Sequence, residues 1–119
     1  PTPAHWIAEA TAKAIAAATG LQSNRSAPPA RGTWHLAAQG ATSWHGFAEA
    51  IFARARQAGL IENPPRVIPV PTSEFPTPAR RPRSSRLNTT RLEQDFGITL
   101  PEWHRGLSEV LGAMSEPGP

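Results

Sequence analysis

Neither cysteine nor tyrosine occurs in the chain. The first absence removes disulfides, thiolate metal sites and cysteine nucleophiles together, and it fits a reducing compartment, so a cytoplasmic location is expected. The second leaves no phenolic general acid. Lysine is almost missing as well, Lys13 being the only one among 12 basic residues. No apolar run approaches the roughly 20 residues that span a bilayer, and no membrane partner is expected. The opening Pro-Thr-Pro has no initiator Met, basic n-region or apolar h-region, so no signal peptide is read there. A chain that opens abruptly at a helix start reads as a piece of something longer.

What is present suits short elements joined by stiff connections. The 119 residues allow at most one domain with a modest core, and 14 of them are proline. The net charge of +3 comes almost wholly from arginine, with the excess gathered between Arg80 and Arg91. Nucleic-acid binders more often spread Lys and Arg along a face in larger excess, so no nucleic-acid partner is expected.

Taken in order, Thr2-Pro3 offers a hydroxyl cap and a proline at the first helical position, opening a helix that Gly20 stops. Its apolar stripe is read as Ile7, Thr11, Ala14, Ile15 and Ala18, narrow enough to lie against a sheet. Gln22 to Arg31 reads as a surface connection. Thr33 to Ala37 reads as a strand buried on both faces. Thr42-Ser43 caps a second helix with Phe47, Ala48, Ile51, Phe52 and Ala55 inward, ended by Gly59. Val67 to Val70 reads as a short edge strand, because Pro69 lacks an N–H. Thr90 and Glu93, at capping-box spacing, open a third helix that Gly97 closes. A final helix begins at Pro101 with Trp103, Leu107, Val110, Leu111 and Met114 on one face, and residues 115–119 are expected to fray. Two short strands make a poor core alone, so the first helix and the 33–37 strand are expected to join a larger sheet.

The long stretch 71–87 stands apart. Prolines at 71, 76, 78 and 82 stiffen it, and Arg80, Arg81, Arg83 and Arg86 make it an anion-binding loop in expectation. The competing reading is structural, with these arginines paired to helix carboxylates. Elsewhere the bland reading prevails. The nine acidic residues form no pair at metal-ligand spacing, and His35 and His45 lack a recognisable zinc pattern. Trp34, Trp44 and Trp103 read as core or core-margin residues. Gly40 and Gly46 lack the spacing of a dinucleotide or P-loop fingerprint.

Several pieces in fixed order nevertheless carry a resemblance. They are Gly32-Thr33-Trp34-His35-Leu36, Gly40-Ala41-Thr42-Ser43-Trp44-His45-Gly46-Phe47, Pro76-Thr77-Pro78-Ala79-Arg80-Arg81-Pro82 with Ser85-Arg86-Leu87-Asn88-Thr89, and Leu100-Pro101-Glu102-Trp103. Together they resemble the dTDP-4-dehydrorhamnose reductase family of extended short-chain dehydrogenase/reductases, over residues 1 to about 114.

The resemblance implies an α/β fold in which this chain is the C-terminal substrate-domain portion, residues 1–114, of a Rossmann-type enzyme. Four helices, two short strands and the proline–arginine loop would make up that portion, with residues 115–119 as tail. By the same resemblance the N-terminal dinucleotide-binding domain is expected to be absent from these residues. The family reduces the 4-keto group of a dTDP-sugar with NADPH or NADH, giving dTDP-L-rhamnose for cell-surface polysaccharide. The catalytic Tyr/Lys pair and glycine-rich cofactor loop have no counterpart here, so no catalytic or cofactor-binding residue is assigned and the chain alone is expected to be inactive. Thr2, Arg80, Arg81 and Ser85 are the substrate-binding candidates that the resemblance implies. Some members bind magnesium through glutamates at a dimer contact; the corresponding positions are His5 and Ala113, so no metal is expected and a homodimer is left open. Two alternatives remain: a non-catalytic binding or regulatory module of the same fold, and an arginine-rich nucleic-acid-binding piece.

Overall fold

Trp6 decides how the first helix sits. The computed structural model describes residues 1–20, 31–75, 77–79 and 82–115, and within them α1 runs Ala4–Ala18. Its buried side carries Trp6 and Ala10, with Ala14 packed beside them. An indole buries more apolar area than any aliphatic chain, so the face that includes it turns inward. The stripe expected from Ile7, Thr11 and Ile15 is thereby rotated outward, and Ile7 and Ile15 are 43% and 58% exposed. Pro3 forms the N-cap residue, and the Thr2 hydroxyl does not cap the helix as expected. It serves the 31–39 segment instead.

The remaining helices are α2 (Trp44–Gln57), α3 (Thr90–Phe96) and α4 (Trp103–Ser115), with a 3-10 turn at Thr72–Glu74. Two compact units are distinguished: Pro1–Gln39 with Leu87–Gly106, and Gly40–Arg86 with Leu107–Pro119.

In the first unit, Ala10, Leu92 and Ile98 form the core, joined by Ala14, Trp34, Leu36, Phe96 and Leu100. Trp34 and Leu36 are half-buried while Thr33 and His35 are exposed. The segment therefore alternates, with one apolar face rather than the two expected. Neither 33–37 nor 67–70 forms a strand among the described residues; the four helices stand and the two strands do not. A strand needs a ladder partner along its length. The first segment has only an isolated parallel bridge at its end, Gln39 with Glu102. There the Gln39 N–H donates to the Pro101 carbonyl at 3.0 Å and the Trp103 N–H donates to the Gln39 carbonyl at 3.1 Å. The second segment leaves Ile68 and Val70 exposed.

Gly97 closes α3 in the left-handed region, φ 66°, as expected. The Thr90–Glu93 capping box does not form. Asn88 takes over, its Oδ1 accepting from the Thr90 N–H at 3.0 Å, an Asx turn ahead of a helix whose Thr89 is already αR.

In the second unit, Ser43 Oγ accepts from the Gly46 N–H at 3.0 Å and caps α2 as expected. The helix ends in a Schellman motif. The Leu60 N–H donates to the Ala55 carbonyl and the Gly59 N–H to the Arg56 carbonyl, with Gly59 at φ 71°. Ala55 is buried, and Phe47, Ala48, Ile51 and Phe52 are half-buried. Arg54 donates to Ser108 Oγ on α4. Trp44 is corrected from core to surface: it stands 88% exposed at the first turn of α2. The cap is what puts it there, since Ser43 fixes the helix start and the inward stripe begins only at Phe47.

Candidate functional site

The described residues of the proline–arginine loop hold a single 3-10 turn, and each proline there fixes its own φ and biases the residue before it. Pro71 has φ −67° and ψ 149°, ahead of the turn at Thr72–Glu74. Thr77 Oγ1 donates to the Ala79 carbonyl at 2.7 Å. Ser84 Oγ accepts from the Arg86 N–H at 3.5 Å, a weak contact. Arg83, Ser85 and Arg86 are all exposed, and Phe75 is 69% exposed. The loop thus offers guanidinium groups and an apolar ring to solvent. Arg80 and Arg81, two of the four substrate-binding candidates, lie outside the described residues.

Thr2 is half-buried, and its Oγ1 accepts from the Ala38 N–H at 3.0 Å. This bond ties the entrance of α1 to the end of the 31–39 segment, while the hydroxyl keeps a proton to donate. Thr2 belongs to the first unit and Ser85 to the second. Each takes its place within its own unit.

Sequence reasoning missed a groove in the first unit, with a volume of about 300 Å³. Trp6, Leu100 and Pro101 give it apolar walls, and Glu9, Lys13 and Arg105 add two cations and a carboxylate. Glu9 and Lys13 are one helical turn apart on α1, and that i,i+4 spacing was the available signal. A charged set of this kind holds polar groups in place. It offers no nucleophile paired with a base.

Beside the groove's helix, Trp34 Nε1 donates to Asp95 Oδ2 at 2.7 Å, and Arg91 Nε lies 3.4 Å from the same oxygen. The Arg91 guanidinium sits 4.9 Å from the Trp34 ring centroid, and Phe96 meets the ring edge-on at 5.2 Å. Arg91 Nη1 also donates to the Thr33 carbonyl. Of the basic cluster 80–91, this arginine is structural: it locks α3 onto the 31–39 segment.

His45 Nδ1 lies 3.3 Å from Glu49 Oε2 on its own helix, and His35 is exposed. Among the described residues no three His, Cys, Asp or Glu side chains come together for a metal. No helix among the described residues is long and apolar enough to cross a membrane.

Residues 1–116 match the family model of the RmlD substrate binding domain. The chain belongs to that family. Curated relatives of this RmlD-family chain agree. The dTDP-4-dehydrorhamnose reductase of Shigella flexneri is 40% identical over 114 residues, covering 96% of this chain and 36% of the relative. That of Escherichia coli K12 has the same identity and coverage, and that of Burkholderia thailandensis is 43% identical over 105 residues, 87% of this chain and 35% of the relative. The chain spans little more than a third of the length of these relatives, the 36% just given.

Proposed function

We propose that this chain is the sugar-nucleotide-binding part, residues 1–114, of an NAD(P)H-dependent dTDP-4-dehydrorhamnose reductase acting in the cytoplasm. The observation that carries the reading is the 40% identity to reductases of that name over 96% of the chain. The remainder of the enzyme would be a Rossmann domain that binds the dinucleotide and supplies the catalytic tyrosine and lysine, the first a residue type that this chain lacks. When bound there, the dinucleotide supplies hydride to the C4 carbonyl.

The work of this part is positioning. Arg80 and Arg81 are the residues assigned to the diphosphate, because a guanidinium fork matches two phosphate oxygens at once. Thr2 and Ser85 are the two hydroxyl-bearing candidates that the family resemblance adds. Prolines at 78 and 82 restrict their own φ in the unbound chain as well, which limits the entropy lost when substrate is gripped. Holding the 4-keto sugar still against the nicotinamide is a gain in orientation, expressed in rate as well as affinity.

The test is steady-state kinetics of the full reductase carrying Arg81→Ala and Arg81→Lys. Loss of a bidentate phosphate contact predicts a KM for the sugar nucleotide raised about tenfold or more in the alanine variant, with partial recovery by lysine. Wild-type KM in both variants would assign Arg81 to structure alone.

A further inference from the structure

The groove of the first unit carries a charge pattern that the proposed function does not use. Trp6, Leu100 and Pro101 give it apolar walls and Glu9, Lys13 and Arg105 its charges, and neither Thr2 nor Ser85 is among its lining residues. Glu9 precedes Lys13 by four residues on α1, the order in which a carboxylate and an ammonium ordinarily pair along a helix. Here they do not: among the described residues neither side chain is in an ion pair. Both are exposed where α1 borders the groove, and Arg105 reaches it from the first turn of α4. A guanidinium carries five donors, so Arg105 keeps some for a ligand whatever else it bonds. Trp6 is only 6% exposed, which makes the wall it contributes a fixed one.

Two cations, one acceptor-only carboxylate and a rigid apolar wall thus share about 300 Å³. Each selects a feature of a ligand. The two cations match the charge of roughly −1.5 to −2 on a phosphate monoester near pH 7, and the guanidinium fork matches its paired oxygens. The carboxylate beside them repels a second anion but accepts from hydroxyl groups. The apolar wall covers the C–H face of a ring. The volume stands at the lower limit for ligand sites, roughly 300–1,000 Å³, and suits a monosaccharide better than one that carries a nucleotide.

We infer that the groove is a binding site for a sugar monophosphate, with Lys13 and Arg105 on the phosphate and Glu9 on the ring hydroxyls. None of the residues assigned to the sugar nucleotide takes part.

The test is calorimetric titration of the full-length polypeptide with glucose 6-phosphate, inorganic phosphate and glucose, repeated with Lys13→Ala, Glu9→Ala and Arg81→Ala. Lys13 and Glu9 are exposed, so both of those variants are expected to keep the wild-type thermal midpoint. Glucose 6-phosphate is expected to bind more tightly than inorganic phosphate or glucose. Its affinity is expected to fall about tenfold or more in Lys13→Ala, and its advantage over inorganic phosphate to vanish in Glu9→Ala. Arg81→Ala is expected to leave it unchanged. No binding by the wild-type protein, or wild-type affinity in Lys13→Ala, would overturn the proposal. So would a loss confined to Arg81→Ala, because the ester would then occupy the sugar-nucleotide site. The readout does not use reductase activity, so an inactive enzyme and an empty groove are separate results.

Discussion

The indole Nε1 of Trp34 donates to the Asp95 carboxylate at 2.7 Å across 61 residues of sequence. This bond joins the 31–39 segment to α3 within the first unit. Trp34→Phe keeps the edge contact to Phe96 but removes the donor. Asp95 is partly screened by solvent, so the loss is about 1–2 kcal/mol rather than the upper end for a charged acceptor. Asp95→Asn keeps an acceptor and is expected to cost less. Urea unfolding of the two variants checks the order; equal midpoints would show the hydrogen bond to be idle.

Gly106 is held by close approach. A Cβ there would stand 2.5 Å from Pro3 Cγ and 2.8 Å from Pro3 Cδ, and a proline ring has no rotamer by which to escape. Gly106→Ala is expected to destabilise by about 1–3 kcal/mol through overpacking. Thermal unfolding measures it.

Two other glycines predict opposite signs. Nothing lies within 4 Å of a Cβ at either Gly59 or Gly112, so packing is removed from the comparison. Gly59 has φ 71° at the end of α2, and Gly59→Ala is expected to cost about 1 kcal/mol in backbone strain. Gly112 lies within α4, and Gly112→Ala is expected to stabilise by about 0.5–1 kcal/mol. Chemical denaturation of both variants decides, and a shared sign would contradict the account.

Thr2 was assigned to substrate through the resemblance, and its oxygen accepts from the Ala38 N–H. Thr2→Val leaves that N–H without its acceptor and is expected to cost about 1 kcal/mol, while Thr2→Ser restores it. A reductase whose KM also rises in Thr2→Val and recovers in Thr2→Ser would place the hydroxyl at substrate as well.

The helices were legible because local signals fix them: Ser43 before α2, Gly59 and Gly97 after their helices, and the inward stripe from Phe47 to Ala55. The failures came where long-range partners decide. Segment 33–37 has strand composition, but Gln39 and Glu102 make its single bridge. On α1 a count of aliphatic spacing overlooked Trp6, whose burial turned Ile7 and Ile15 outward. Trp44 was assigned inward on residue type, although its place one residue after the Ser43 cap leaves it at the exposed first turn. Of the site, the sequence order Pro76 to Leu87 showed the family pattern at once. The groove at Glu9, Lys13 and Arg105 did not show, since Arg105 joins the other two only through folding.

The most direct test is a reductase assay of the full-length polypeptide with dTDP-4-dehydro-L-rhamnose and NADPH or NADH, beside residues 1–119 alone. Oxidation of the dinucleotide with formation of dTDP-L-rhamnose by the full-length protein, and none by residues 1–119, is the predicted result. A correctly folded full-length protein that leaves both the sugar nucleotide and the dinucleotide unchanged would contradict the account.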